Sequence, residues 1–79
     1  MHQVRIEYFA VLREHVGLPG EQLKTTAATV AELYEELRVR HQLPDVGPLK
    51  VAVNDEFGDW QTPLADGDAV VFIPPVAGG

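Results

Sequence analysis

The chain has 79 residues, 46% of them apolar, which suits one small domain with a single core. It contains no cysteine, which excludes a disulfide framework, a thiol nucleophile and a thiolate metal site. With a net charge of −6 and six basic residues, it is not expected to bind nucleic acid, because phosphate contacts need clustered Lys and Arg. Basic surfaces on other proteins are the expected partners.

No apolar run is long enough to span a membrane, and the start lacks the pattern of a signal peptide, so a cytoplasmic protein is expected.

The first third of the chain predicts two strands around a short helix. "VRIEYF" alternates with period two, so that Val4, Ile6 and Tyr8 point to one side and Phe9 to the other. "AVLREHVG" follows as a short helix that ends at Gly17. After a Pro-Gly turn, "EQLKT" is interpreted as a second strand.

The clearest helix is predicted over "TVAELYEELRVRHQL". Thr29 stands three residues before Glu32, which is typical of a capping box at a helix start. The apolar positions fall on one face at helical spacing. That face comprises Val30, Leu33, Tyr34, Leu37 and, at its end, His41.

The last third predicts three strands. "LKVAVN" is a third strand, Asn54 and Asp55 suit a turn, and "EFGDW" is a short edge strand weakened by Gly58. In the "DGD" turn, Gly67 can take a positive φ. "AVVFI" is almost wholly apolar, which is typical of a strand in the middle of a sheet, and Pro74 ends it because proline lacks an N–H.

This element order predicts an α+β fold of the ubiquitin-like β-grasp type. One long helix packs across a small mixed sheet, with a short extra helix, and the first and last strands are parallel neighbours in the middle. Residues 1–73 are expected to form a single domain. Residues 74–79, "PPVAGG", are expected to form an extended C-terminal tail.

Three stretches carry a resemblance to a known family: "YFAVLREHVG", "AVNDEF" and "PLADGDAVVFIPPVAGG". Together they resemble the MoaD-type sulfur carriers, the small subunits of molybdopterin synthase, and the likeness covers essentially the whole chain. The final stretch is the most specific, since it combines the DGD turn, one strand, two prolines and a terminal Gly-Gly. Gly58 departs from the apolar residue expected on that edge strand.

The resemblance implies a function in molybdenum cofactor biosynthesis. A MoeB-type adenylating enzyme, related to ubiquitin-activating enzymes, would use ATP to activate the C-terminal carboxylate of Gly79, and sulfur would then give a thiocarboxylate. The loaded tail would enter a MoaE-type large subunit and donate sulfur to a pterin precursor, in an assembly of two carriers and two large subunits. The carrier alone would be no enzyme and would hold no cofactor.

The tail residues suit that chemistry. Gly79 has no Cβ, which leaves its acyl carbon open to attack, and Gly78 lets the backbone pass a slot too narrow for side chains. Two prolines favour an extended conformation, and six extended residues reach roughly 20 Å. The residues expected to thread into the partner are Pro74, Pro75, Val76, Ala77 and Gly78.

Other candidate groups favour structural roles. The spacing of His2, His15 and His41 matches no metal-ligand motif, so no metal is expected; His41 is expected to pack at the helix end and the other two to face solvent. The carboxylates in the last third suit turns better than acid–base catalysis or calcium binding. Lys24 and Lys50, the two lysines, are expected to be solvated surface residues.

A partner interface is predicted from strand parity. Phe9 and Ile73 fall on the side of the sheet opposite the long helix, and Phe57 is a weaker candidate for the same surface. The alternative is that the short helix or a loop covers them.

Three other functions fit parts of the sequence. A thiamine-pathway sulfur carrier has the same fold and terminus, although the segment "VLREHVG" favours the molybdopterin type. A ubiquitin-like modifier joined to lysines would carry the same Gly-Gly end. A β-grasp interaction module with an inert tail is the third.

Overall fold

The computed structural model describes residues 1–43 and 49–74. Every predicted helix and strand is present and in the predicted order. The elements are β1 (His2–Tyr8), α1 (Ala10–Val16), β2 (Gly20–Thr25), α2 (Val30–His41), β3 (Lys50–Val53), β4 (Glu56–Gly58) and β5 (Ala69–Ile73). Neither helix in the described ranges has the length and apolar character needed to cross a membrane.

The five strands form one mixed sheet in the order β2-β1-β5-β3-β4. β1 and β5 run parallel, and the other neighbouring pairs are antiparallel. The predicted central parallel pair is therefore confirmed, with β5 in the middle position. Together with the two helices, this arrangement confirms the α+β ubiquitin-like β-grasp fold.

The core lies between α2 and one face of the sheet. Alternate strand residues such as Ile6, Val70 and Phe72 are completely buried there against Leu33 and Leu37 of α2. This alternation is what a period of two residues along each strand requires when a single face is covered by a helix. The predicted apolar face of α2 is confirmed, since its buried residues are Val30, Leu33, Tyr34 and Leu37.

Aromatic rings extend this core toward β4. The ring of Phe72 packs edge-on against Tyr34 with centroids 5.1 Å apart, and lies nearly parallel to Trp60 at 6.0 Å. Trp60 is partly buried and joins the same cluster. Edge and stacked pairs of this kind add to the stability that burial alone provides.

The helix ends largely follow the predicted signals. Thr29 Oγ1 accepts the N–H of Glu32 at 3.3 Å, as a capping box requires, but Glu32 Oε1 accepts the N–H of Ala28 and not that of Thr29. α1 ends at Gly17, with φ 86°. β1 ends at Tyr8, one residue earlier than predicted, because Phe9 becomes the residue that precedes α1.

Two turns explain residues that the sequence pattern singled out. Asn54 and Asp55 both have positive φ, 52° and 70°, which is the backbone of a tight two-residue hairpin between β3 and β4. Gly67 has φ 89°, as predicted for the DGD turn. A Cβ on Gly58 would lie 2.9 Å from Oγ1 of Thr62, so the unexpected glycine on β4 makes room for the chain that folds back behind it.

A candidate docking face at the end of the central strand

The central strand β5 divides its side chains between two surfaces. Val70 and Phe72 are fully buried beneath α2, whereas Val71 and Ile73 are only partly buried. We call the side of the sheet away from α2 the open face. Paired residues on neighbouring strands share a face, so Ala52, which is paired with Val71, also lies there.

The predicted interface residues lie on this open face. Phe57 is opposite Ala52 in the β3–β4 register and is 77% exposed. Phe9 follows Tyr8, whose partner in the parallel β1–β5 register is Phe72, so Phe9 comes level with Ile73. The exposed fraction of Phe9 is 45%, so the described residues leave much of its ring uncovered.

These side chains define an apolar surface that we call the open-face patch: Phe9, Ala52, Phe57, Val71 and Ile73. Of these, Ala52 is itself buried, at 9% exposed. The patch runs from the end of β1 across β5 and β3 to β4, which is about 14 Å at three strand spacings. The short helix does not remove it from solvent, because α1 buries Leu12 in the core and leaves Val11 59% exposed. The alternative that α1 covers these residues is therefore not supported.

The tail begins where the patch ends. Pro74 follows Ile73 directly and is partly buried, with no regular secondary structure. Because β5 is hydrogen-bonded on both sides, to β1 and to β3, the point at which the chain leaves the sheet is held firmly. The other predicted tail residues, which include the one expected to react, lie outside the described residues. They are Pro75, Val76, Ala77, Gly78 and Gly79.

A polar cluster at the end of α2 has a structural role. His41 Nε2 lies 2.8 Å from Glu21 Oε2, and the hydroxyl of Tyr8 donates to the same oxygen at 2.7 Å. The pKa of Tyr8 is raised well above its usual range by burial, and further by the hydrogen bond to Glu21. These contacts join β1, β2 and α2, which confirms that His41 packs at the helix end.

A second histidine secures the same helix end, a contact that the sequence did not predict. His15 is exposed as expected, but its Nε2 lies 3.0 Å from the carbonyl oxygen of His41 and 2.9 Å from that of Gln42. A ring N–H that donates to the last carbonyl groups of a helix satisfies acceptors that have no partner within the helix. No three His, Asp or Glu side chains in the described parts of the chain are grouped to hold a metal ion.

The predicted turn role is confirmed by local bonds of Asp59 and Asp68, whereas Asp66 ties its loop to the start of β1. Asp66 Oδ1 accepts the N–H of Gln3 at 2.7 Å, and Asp68 Oδ2 accepts that of Ala65 at 2.8 Å. Asp59 Oδ1 accepts the N–H of Gln61 at 2.8 Å. The bonds of Asp59 and Asp68 fix backbone turns, as short acidic side chains commonly do.

Residues 6–79 match the ThiS family. The chain belongs to this family. It is 35% identical to the molybdopterin synthase sulfur carrier subunit of Escherichia coli K12, over 96% of this chain and 99% of that one. The predicted resemblance to molybdopterin synthase small subunits is thereby confirmed.

Two solved structures extend the comparison of this ThiS-family chain. The complex of subunits 1 and 2 of the molybdopterin-converting factor from Helicobacter pylori contains a chain that is 30% identical, with a TM-score of 0.69 over 98% of this chain and 99% of that one. SAMP1 from Haloferax volcanii is 26% identical, with a TM-score of 0.83 over 98% and 99% of the two chains.

Proposed function

We propose that this ThiS-family protein is the sulfur carrier of a molybdopterin synthase, and that it carries sulfur as a thiocarboxylate on Gly79. The observation that carries the proposal is its 35% identity, over almost the full length of both chains, to a protein with that role in its name. The geometry supports it, since the central strand ends beside an apolar patch at the point where the tail begins.

The proposed chemistry takes place at the terminal carboxylate. A carboxylate is a poor electrophile, because its negative charge repels nucleophiles. ATP, bound by an adenylating partner enzyme of the MoeB type, converts it to an acyl adenylate and releases pyrophosphate. A persulfide sulfur of the donor protein then attacks the acyl carbon and displaces AMP, which gives an acyl disulfide. A second thiol of the partner proteins cleaves the sulfur–sulfur bond, so that the thiocarboxylate leaves and the two partner sulfurs form a disulfide. No acid, base or thiol of this chain takes part, so the carrier acts as a protein-bound cosubstrate.

Sulfur donation then requires the tail to reach a second active site. We propose that the open-face patch docks on a MoaE-type large subunit while the tail extends into it. Six extended residues span roughly 20 Å, and the last two have no side chain to widen the path. The thiocarboxylate sulfur attacks a carbon of the pterin precursor and displaces an oxygen substituent from that carbon. Water then hydrolyses the bond between the acyl carbon and sulfur, which leaves the sulfur on the pterin and returns the carboxylate to Gly79.

Changes to the tail test this proposal. Three changes should each abolish thiocarboxylate formation: deletion of Gly79, addition of one residue after it, and Gly78→Val. The terminus then falls short of the adenylating site, overshoots that site, or cannot pass the narrow slot that leads to it. The melting temperature should stay almost unchanged, because an extended terminus contributes little to the core.

The measurement is mass spectrometry of the C-terminal peptide after incubation with the adenylating enzyme, ATP and a sulfur donor. Wild type should gain the oxygen-to-sulfur mass difference and form the pterin dithiolene with the large subunit. Val39→Ala, an exposed change on α2, is the matched control and should load like wild type. Loading and transfer by the shortened carrier at the wild-type rate would contradict the proposal.

A second candidate function is attachment to other proteins as a modifier. The similarity to SAMP1 favours it, because SAMP1 is a small archaeal modifier protein and its fold superimposes closely. Isopeptide-linked adducts of Gly79 in cell extracts would establish this use. A thiamine-pathway carrier would load sulfur in the same way, but would support thiazole formation and not pterin dithiolene formation.

A further inference from the structure

The charge of the protein is unevenly arranged. Two of its basic residues lie on α2 and are paired there: Arg38 with Glu35, and Arg40 with Glu36 at 3.8 Å. These pairs cancel part of the negative charge of α2 and leave that helix surface close to balanced. The remaining basic residues lie on β1, α1, β2 and β3.

Those four basic residues have no carboxylate within 4.0 Å among the described residues. They are Arg5, Arg13, Lys24 and Lys50. Two of them stand where the tail begins. Lys50 is opposite Ile73 in the β3–β5 register, and Arg13 lies one helical turn after Phe9. Phe9 and Arg13 also line one concavity of about 490 Å³.

The opposite end of β5 is acidic. Asp66 and Asp68 belong to the turn that leads into the strand, and Asp55 belongs to the hairpin beside its first residue, Ala69. Four residue steps along a strand separate Ala69 from Ile73, which is about 13 Å. At the Ala69 end the three carboxylates are accompanied by Arg5, which is paired with Ala69, and by Lys24, whereas Arg13 and Lys50 lie at the tail end with no ion pair among the described residues.

No carboxylate of the described residues lies within 4.0 Å of either cation, although Glu7 and Glu21 line the same concavity as Arg13. Glu7 is level with Val71, one pair of residues back along the sheet, and forms no ion pair. Asp59 follows β4 near Lys50, but its carboxylate accepts the N–H of Gln61 at 2.8 Å. Within the part of the chain that the structure describes, Arg13 near Phe9 and Lys50 opposite Ile73 therefore carry positive charge without an ion pair. We call these two residues the cationic rim.

We propose that the cationic rim docks on a partner surface whose carboxylates border the socket for the open-face patch. This inference rests on the proposed function, since the partner is the large subunit that receives the tail. An exposed cation beside a buried apolar contact loses water on docking, which costs free energy unless an opposite charge meets it. The net charge of −6 alone would suggest a basic partner surface, and the rim reverses that expectation at the contact itself.

Charge reversals at matched sites test this arrangement. Arg13→Glu, Lys50→Glu and Lys24→Glu each change the net charge by the same amount. Lys24 is exposed and is paired with Gln3 near the start of β1, at the end of the sheet away from the tail. Each rim reversal should weaken binding to the large subunit of the same organism by about tenfold or more, because like charges then oppose each other. Lys24→Glu should change binding by less than about twofold, since exposed charges far from the contact are screened.

The effect of the rim should also depend on salt. The loss caused by Arg13→Glu should shrink as ionic strength rises, and Arg13→Gln should give an intermediate loss. Thermal unfolding of each variant checks that these exposed changes leave the fold intact. Equal losses at all three sites would show that net charge governs docking, and tighter binding by the rim reversals would show a basic socket. Either result overturns the inference about the cationic rim. The proposed function still stands in that case, provided that wild type binds the large subunit and is loaded with sulfur. If wild type neither binds the large subunit nor gains sulfur, the proposed function fails together with the inference.

Discussion

The two faces of β5 differ in burial although their side chains are equally apolar. Val70 and Phe72 are completely buried under α2, while Val71 and Ile73 remain partly exposed on the open face. One strand therefore holds the core with alternate residues and presents a surface with the others. Composition does not separate the two pairs of residues, because all four are apolar. The position of α2, which covers only one face of the sheet, decides which pair is buried.

The difference has an energetic meaning. Burial of an apolar side chain stabilises the fold by about 1.5–3 kcal/mol, and for Val70 and Phe72 that gain is complete on folding. For Phe9 and Ile73 part of the gain is still available, because part of their surface remains in water. We infer that the fold retains this gain for association, which fits the proposed role of a carrier that docks, transfers sulfur and leaves.

The largest effect on this comparison is expected from Phe72→Ala. It removes a ring that is 0% exposed and packs on Tyr34 and Trp60, so the free energy of unfolding should fall by about 3–5 kcal/mol. Chemical denaturation followed by Trp60 fluorescence measures the change. Because a domain of this size has little stability to spare, Phe72→Leu provides a milder second variant. A small loss for both variants would mean that the helix-covered face does not hold the core as its burial indicates.

The next largest effect is expected on the open face. Phe9→Ala and Ile73→Ala should each weaken binding to the large subunit by about 1–3 kcal/mol, because they remove anchors of the open-face patch. Both should destabilise the isolated carrier much less than Phe72→Ala does. Titration calorimetry with the large subunit, beside denaturation of the carrier alone, separates the two effects.

A matched control for the patch is Val39→Ala. Val39 is 68% exposed on α2. The substitution removes a similar apolar group far from the open face, so it should alter neither binding to the large subunit nor the stability of the carrier appreciably. A large stability loss with unchanged binding for Phe9→Ala or Ile73→Ala would place those residues in the core and would contradict the division between the faces.

Much of this division could be predicted from the sequence, because it depends on local periodicity. The alternation in β1 and β5 and the apolar stripe of α2 predict which residues are buried. The alternation places Phe9 on the open face, although it extends β1 one residue beyond its end at Tyr8. The end of β1 depends on where α1 begins, and an alternating strand pattern does not predict the start of a helix.

The remaining features depend on side-chain contacts that no periodic pattern in the sequence contains. Gly58 is explained only by Thr62 folding back against it, and the contact from His15 to the end of α2 joins positions 26 and 27 residues apart. The fold places Arg13 near Phe9 and Lys50 opposite Ile73, whereas the sequence alone provides only the net charge to which they contribute. Tertiary placement, not propensity, decides each of these features.

The smallest effect is expected at the edge of the helix-covered side, from Tyr8→Phe. The change removes the hydroxyl that donates to Glu21 and keeps the buried ring, so the free energy of unfolding should fall by about 1–2 kcal/mol. Sulfur loading and docking should not change, because Tyr8 faces away from the open face.

The pH dependence of the Tyr8→Phe effect sharpens this prediction. Burial and the bond to Glu21 raise the pKa of Tyr8 in the folded protein above its ordinary value of 10.0. The unfolded chain therefore releases this proton first, so the stabilising contribution of Tyr8 is complete below about pH 10 and decreases as the pH rises further. Denaturation of wild type and Tyr8→Phe between pH 7 and about pH 11 should show a difference that is constant at first and then shrinks. A difference that grows at high pH would mean that folding favours the ionised phenol, and that Tyr8 is not the buried neutral donor that joins β1 to β2.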